Sequence, residues 1–306
     1  MQHYIARRLL QLVPVSLGVS ALVFLMIHLV PGDPAQVMLQ DYATAEQVVR
    51  LRHALGLDRP LIVQYGAFVW RLLHADLGRS VRTGRPVAKE IAFRLPYTLR
   101  LTIASMAVAI ALGLGLGTLA AIRHRRFLDY AGMVTALAGL SLPSFWFGLV
   151  LILIFSYYLR WLPPAGADTA VSVILPAVTL GASAAAIIAR LSRSSLLEVL
   201  QQEFIRTARA KGLGERQTLY RHALRNALIP VLSIAGLQFA GLLGGAVIVE
   251  SVFGWPGLGR LAVDAIFNRD IPTIQGVVLV AAAIFVAVNL TVDLLYAALD
   301  PRIRYA

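Results

Sequence analysis

The chain predicts an all-α integral membrane protein, and three features carry that prediction. Of 306 residues, 58% are hydrophobic and 14% are charged, with a mean hydropathy of +0.73, which is too apolar for a soluble domain of that length. The apolar residues gather into runs long enough to cross a hydrocarbon core of about 30 Å. Arginine clusters lie between the runs. The formal net charge of +12 therefore reads as membrane orientation and not as a nucleic-acid surface, because the cations border apolar runs without interleaving with aromatic residues on a polar face. The chain has no cysteine, which removes disulfides and thiolate metal sites.

Taken in order, Arg7 and Arg8 precede the first apolar run, Leu9 to Val30. It is about twice as long as a signal-peptide core and lacks a small-residue cleavage site, so it reads as a retained span with a cytoplasmic N-terminus. Residues 31–97 form an extracytoplasmic helical segment. Thr44 to Gln47 fits a capping box, Gly56 is a helix stop and Pro60 a breaker. From Leu61 to His74, Ile62, Tyr65, Phe68, Val69 and Leu72 mark an amphipathic face for the bundle or the membrane interface. A short helix over Val87–Leu95 is expected to end at Pro96.

The second span, Thr98 to Ile122, ends at the basic cluster Arg123–Arg126, which places that turn inside. Gly113 and Gly117 have the spacing of a close helix contact, with a backbone-lined substrate path as the alternative. The third span, Tyr130 to Tyr158, is long enough for Pro143 to bend it or to mark an interfacial first part. A fourth, Val171 to Ala189, is expected to stop at the cytoplasmic face at Arg190 and Arg193, with Ser195–Glu198 as a further capping box from which a helix continues towards the polar interval. The fifth, Leu228 to Val249, carries small residues on two faces, among them Gly236, Ala240 and Gly244. Glu250 to Thr273, with Trp255–Gly259 as a turn-rich centre, reads as outside again. The last span, Ile274 to Leu299, contains Asn289 and Asp293 four apart, and the Asp293 carboxylate reads as a proton-relay candidate or as a structural hydrogen bond or snorkelling contact near the helix end. Arg302 and Arg304 put the C-terminus inside.

Between the fourth and fifth spans lies the longest basic, polar interval, Glu203 to Pro230. It divides into a helix over Phe204–Lys211, a stop at Gly212, and a second helix over Glu215–Asn226. Phe204, Ile205 and Ala208 share one face of the first helix, with the small Ala208 in the middle, and Arg206, Arg209 and Lys211 edge it with positive charge. Such a face fits docking of another protein; anchoring to the inner leaflet is the bland alternative.

A helix, a glycine and a second helix leading to Ile229-Pro230 resemble the coupling (EAA) loop of permease subunits in binding-protein-dependent ABC importers. RTARAKGL at Arg206–Leu213 and HALRNALIP at His222–Pro230 resemble the dipeptide/oligopeptide/nickel branch. The general pattern begins Glu-Ala-Ala; here Arg206, Thr207 and Ala208 occupy those places, and only Ala208 and Gly212 match strictly. The opening RRLLQLVPVSLGVSALVFLMIHLVPGDPA, with LGLDRP, DLGRS, LSLPSFWFG, NRDIP and LDPRIRY further on, extends the likeness over nearly the whole chain and points to the first of the branch's two permease subunits. The resemblance implies six transmembrane helices of the type I importer permease kind in the bacterial inner membrane. Residues 1–30 would be tail and first span, and 98–306 the five-helix core with its coupling loop at 190–228. It further implies a second homologous permease, two cytoplasmic ATP-binding subunits and an extracytoplasmic binding protein as partners, and short peptides, or else nickel or another small solute, as cargo. Phe204, Ile205, Arg206, Thr207, Ala208, Arg209, Lys211 and Gly212 would couple to the ATPase subunit.

Absences divide the labour between subunits. Lys89 and Lys211 are followed by Glu90 and Gly212, so the chain has no phosphate-binding P-loop; ATP and Mg belong to partner subunits and no cofactor is expected here. No H-E-x-x-H zinc motif occurs. Ser183 lacks the following glycine of rhomboid-like intramembrane proteases and reads as a packing serine. A proton-coupled secondary transporter using Asp293 is the competing transport mechanism, and intramembrane proteolysis the enzymatic one. Neither would bring ATPase subunits along on purification.

Overall fold

The computed structural model describes residues 2–29, 34–39 and 44–299, and among them every named element is a helix. Four helices are each long and apolar enough to cross a membrane: Val87–Ile122, Ala170–Leu200, Glu215–Val252 and Ile271–Val292. The bent pair Phe127–Ser141 and Ser144–Tyr158 makes a fifth when counted as one span. α1 runs Gln2–Leu29 and contains the apolar stretch Val13–Met26. The contacts divide the chain into two compact units, Met1–Thr98 with Pro256–Ala306, and Leu99–Trp255.

In the first unit, α2 (Pro34–Leu39) and α3 (Ala45–Leu55) follow α1. The Thr44 hydroxyl accepts from the Gln47 N–H at 3.3 Å, and the Gln47 side chain accepts from the Thr44 N–H at 2.9 Å, so the capping box forms as the sequence predicts. Gly56 closes α3 in the left-handed region at φ +66°. α4 (Leu61–Leu73) packs on α1 through Phe68, Tyr65, Val69 and Leu72 against Val23 and Phe24. Ile62 departs from the expected face: it is 86% exposed and points away from that seat.

Pro96 does not end a helix. α5 runs unbroken over Val87–Ile122. Val87 and Ile91 are buried against Leu258, Leu261 and Val277, and this packing holds the first turns in line although the proline forfeits one backbone bond. The Glu250–Thr273 interval is also more ordered than a turn-rich loop. α12 (Leu258–Phe267) forms within it and is followed by α13 (Ile271–Leu299). Buried Asp270 accepts from the Val81 N–H at 3.2 Å and from the Thr273 hydroxyl at 2.8 Å, fastening the start of α13 to the loop before α5. Asp293 lies in α13, but its side chain falls outside the described residues.

In the second unit, α6 (Phe127–Ser141) and α7 (Ser144–Leu151, continued by a π-helix over Ile152–Tyr158) meet at 110°. Pro143 holds Leu142 extended at φ −80°, ψ 131°, and α6 stops there. α8 (Ile174–Leu200) runs on past Arg190 and Arg193 towards the polar interval as the sequence predicts, but as one unbroken helix, so Ser195 is a buried interior residue and not a cap. Arg193 is retained in the helix because Asp129 answers it. Its Nε and Nη2 donate to the two carboxylate oxygens at 2.6 and 2.8 Å, while the Arg125 N–H and the His124 ring complete the Asp129 shell.

Gly113 and Gly117 are places where only glycine fits. A Cβ at Gly113 would lie 2.6 Å from the Ile188 side chain, and one at Gly117 would meet the Ala189 carbonyl. α5 and α8 thus touch almost backbone to backbone, which is the packing expectation. The second helix of the polar interval and the fifth span are one rod: α10 (Glu215–Gln217), a π-helix (Thr218–Ala223) and α11 (Leu224–Val252) run on without a break, with Pro230 inside. The rod ends in the buried residues Glu250, Phe253 and Trp255. There the Phe253 carbonyl accepts from the Gly166 N–H at 2.9 Å.

Candidate functional site

The polar interval folds as α9 (Glu203–Ala210), separated from the end of α8 by the turn at Gln201 and Gln202. Its termination is legible in the backbone. Gly212 adopts φ +79°, and the Leu213 N–H reaches back to the Ala208 carbonyl at 3.3 Å, the six-residue closure that a left-handed glycine permits.

The eight residues expected to couple divide between two faces. Ile205 is wholly buried and Ala208 nearly so. Ile205 sits in a cluster with Ala121 from the end of α5, Leu196 and Val199 from the end of α8, and Ala223 and Ala227 from the start of the α10–α11 rod. It is a knob in a socket made by three span ends. The packing ties α9 to the ends of α5, α8 and the α10–α11 rod. Ala208 shares this inner face, so its small size serves the seating of α9 on its own chain.

Phe204, Arg206, Thr207, Arg209, Lys211 and Gly212 are exposed, Phe204 only by 39%. Arg206 donates to Glu203 at 2.8 Å, and the Thr207 hydroxyl donates to the Glu203 carbonyl at 3.0 Å. Arg209 reaches across the glycine turn to Glu215 with two bonds, of 2.8 and 3.1 Å. Two of the three cations are thus matched by carboxylates, and among the described residues Lys211 makes no ion pair. The outer face is a ring of paired charge around a half-exposed phenylalanine, and less positive than a count of arginines suggests.

Sequence reasoning did not find the socket or the Asp129–Arg193 pair. Asp129 stands three residues after the basic cluster, which is a local hint, but its partner is 64 residues away. Glu203 and Glu215 flank the helix and were legible as charges, not as partners. No group of three or more His, Cys, Asp or Glu able to hold a metal occurs among the described residues.

The family described as "Binding-protein-dependent transport system inner membrane component" matches residues 113–305, and its N-terminal counterpart matches residues 1–102. The chain is 49% identical to the glutathione transport system permease protein GsiC of Pectobacterium atrosepticum, over all of both chains. It is 48% identical to that of Salmonella typhi and 47% to that of Escherichia coli K12, again over all of each. Among solved structures, an inward-facing MetNI methionine ABC transporter is similar with a TM-score of 0.60 at 19% identity, covering 69% of this chain and 96% of that one. An amino acid ABC transporter gives 0.55 at 16%, covering 69% and 94%.

Proposed function

From the premise that this chain belongs to the family of binding-protein-dependent transport system inner membrane components, as an ABC importer permease of the dipeptide/oligopeptide/nickel branch, we propose that it forms half of a pathway for short peptides. Peptides of the size of glutathione are the preferred cargo, because permeases that match it end to end at nearly half of all positions carry that substrate in their names. The other half of the pathway would be a second permease. Two ATP-binding subunits would dock on the cytoplasmic side and a binding protein outside, with residues 31–97 extracytoplasmic and both termini cytoplasmic.

One observation supports the coupling role of α9 above the others: its inner face is locked into three span ends while its outer face stays exposed. Closure of the ATP-binding subunits would press on Phe204, Arg206, Thr207, Arg209 and Lys211, and Ile205 would pass the displacement to α5, α8 and α11. Coupling then means that the ATPase contacts α9 differently in the two states of the transporter. Gly212 would let α9 tilt against the rod that follows it.

The test is uptake and ATP hydrolysis by the reconstituted transporter. Glutathione and short peptides delivered by the binding protein are expected to stimulate hydrolysis and to accumulate inside. Gly212→Pro, which destroys the left-handed turn, is expected to leave the permease pair inserted while the ATPase dissociates or loses stimulation. Wild-type uptake and hydrolysis in Gly212→Pro would sink the coupling role of α9, whereas nickel uptake without peptide uptake would sink the cargo assignment alone.

A further inference from the structure

The first unit contains two cavities with a common wall. The larger, of about 430 Å³, lies among the later half of α1, α4, the loop after it and the first turns of α13. The other, of about 270 Å³, continues between α1 and α13 away from those ends. Leu72 and Leu279 line both.

Their chemistry differs along the axis. The larger cavity is lined by Phe24 and Phe68 and also by Arg71, Asp76 and Arg79. The other is walled by valine, alanine and leucine with two serines, and the Ser20 hydroxyl is already engaged with the Leu17 carbonyl and the Tyr65 hydroxyl. From His28 at the polar end to Val15 at the apolar end, α1 advances about 20 Å at about 1.5 Å per residue. That is about half of a bilayer of 40–45 Å with its headgroups. The polar end lies toward the end of the helix and the apolar end toward its middle, in the order of one lipid leaflet.

We propose that these cavities form a phospholipid site, with the phosphate between Arg71 and Arg79 and one acyl chain passing Leu72 and Leu279 into the groove between α1 and α13. Guanidinium groups suit phosphate through paired hydrogen bonds. Arg79 is steadied by donation to the Gly84 carbonyl at 3.2 Å, and Asp76 by the Gly78 N–H at 2.9 Å. Two cations and one carboxylate match a zwitterionic aminophospholipid, phosphate on the arginines and ammonium on Asp76. A headgroup without an amine leaves Asp76 facing a phosphate. A cargo peptide suits the site poorly, since its backbone polar groups would go unpaired in the apolar cavity.

Native mass spectrometry of the full-length chain with its partner subunits, delipidated and then titrated with dioleoyl phosphatidylethanolamine or dioleoyl phosphatidylglycerol, tests the assignment. One phosphatidylethanolamine per chain is expected, retained better than phosphatidylglycerol. Arg71→Ala with Arg79→Ala should lower retention by about tenfold, the scale of one charge-assisted hydrogen bond. Leu279→Trp, which fills the neck and spares both arginines, should lower it as far. Wild-type retention in both variants, retention of phosphatidylglycerol equal to that of phosphatidylethanolamine, or displacement of the lipid by glutathione would each overturn the site.

Discussion

α4 and α9 are both short helices held to longer ones by one face, and they differ in what the other face presents. α4 is seated by aromatic rings, with Phe24 5.7 Å from Phe68 and 5.4 Å from Tyr65, and the Tyr65 hydroxyl meets Ser20. Its outer face is apolar: Ile62, Trp70 and Leu73 are 86, 65 and 76% exposed. α9 is seated by one isoleucine and one alanine, and its outer face carries two arginines and a glutamate, with Lys211 just beyond its end. An exposed apolar face on an integral membrane protein fits lipid, whereas an exposed charged face fits water and a protein partner. The inner faces answer a second question. Rings from both helices seat α4, whereas α9 is held by one isoleucine set among Ala121, Leu196, Val199, Ala223 and Ala227.

The largest effect should come from breaking the seat of α9. Ile205→Asp places an unpaired carboxylate among Leu196, Val199 and Ala223, at a cost of about 3–5 kcal/mol. Loss of ATPase association and of uptake is expected, with the permease still inserted. Uptake at the wild-type rate would mean that α9 is not clamped to the span ends, and the comparison would fail at its first step.

Breaking the seat of α4 ranks next. Phe68→Ala removes a ring packed against Val23 and Phe24, a change that costs about 3 kcal/mol or more in a core. A fall in the thermal midpoint of the purified chain should accompany it, whereas Trp70→Ala on the outer face should leave the midpoint in detergent nearly unchanged. Equal losses from the two would show that both faces of α4 are packed on protein.

How far these two helices were legible in the sequence differs for a physical reason. Both have local boundaries: Thr44, Gly56 and Pro60 punctuate the chain before α4, and Gly212 closes α9, each through backbone geometry that a few residues determine. The faces were less legible. Ile62 belongs to the helical stripe by spacing, yet lies on the wrong side of it, because spacing alone does not say where α1 will pack. Ala208 matches the family pattern and was expected to meet a partner, but is buried within its own chain at 7% exposure. Pro96 was taken as a boundary, and long-range packing carries the helix through it. The Asp129–Arg193 pair and the two joined cavities depend on residues distant along the chain, for which periodicity holds no signal.

Exchanging the outer faces gives a smaller and more selective effect. Arg206→Glu and Ile62→Glu each alter an exposed side chain, so the midpoint in detergent should shift by no more than about 0.5 kcal/mol in equivalent stability. Arg206→Glu should lower cargo-stimulated hydrolysis, and Ile62→Glu should lower the yield of inserted chain without changing hydrolysis per inserted molecule. The opposite pattern would exchange the assigned surroundings of the two helices.

The smallest effect concerns the bridge across Gly212. Arg209 and Glu215 are joined by two hydrogen bonds, but their side chains are 43 and 75% exposed, and an ion pair so open to water contributes about 0–1 kcal/mol. A double-mutant cycle of Arg209→Ala and Glu215→Ala on thermal stability should therefore give a coupling energy under about 1 kcal/mol, and 0.5 M salt should remove most of it, since exposed charges are screened over less than about 8 Å at that ionic strength. Repeating the cycle on cargo-stimulated hydrolysis separates two roles that stability cannot. If the bridge only decorates the turn, the hydrolysis cycle is additive as well. If it limits how far α9 tilts against the rod beginning at Glu215, the two single variants should change hydrolysis alike and the double variant should add nothing further. A large stability coupling that survives salt would contradict the solvent-open geometry of the pair and make the turn a rigid corner, leaving Gly212 no tilt to provide.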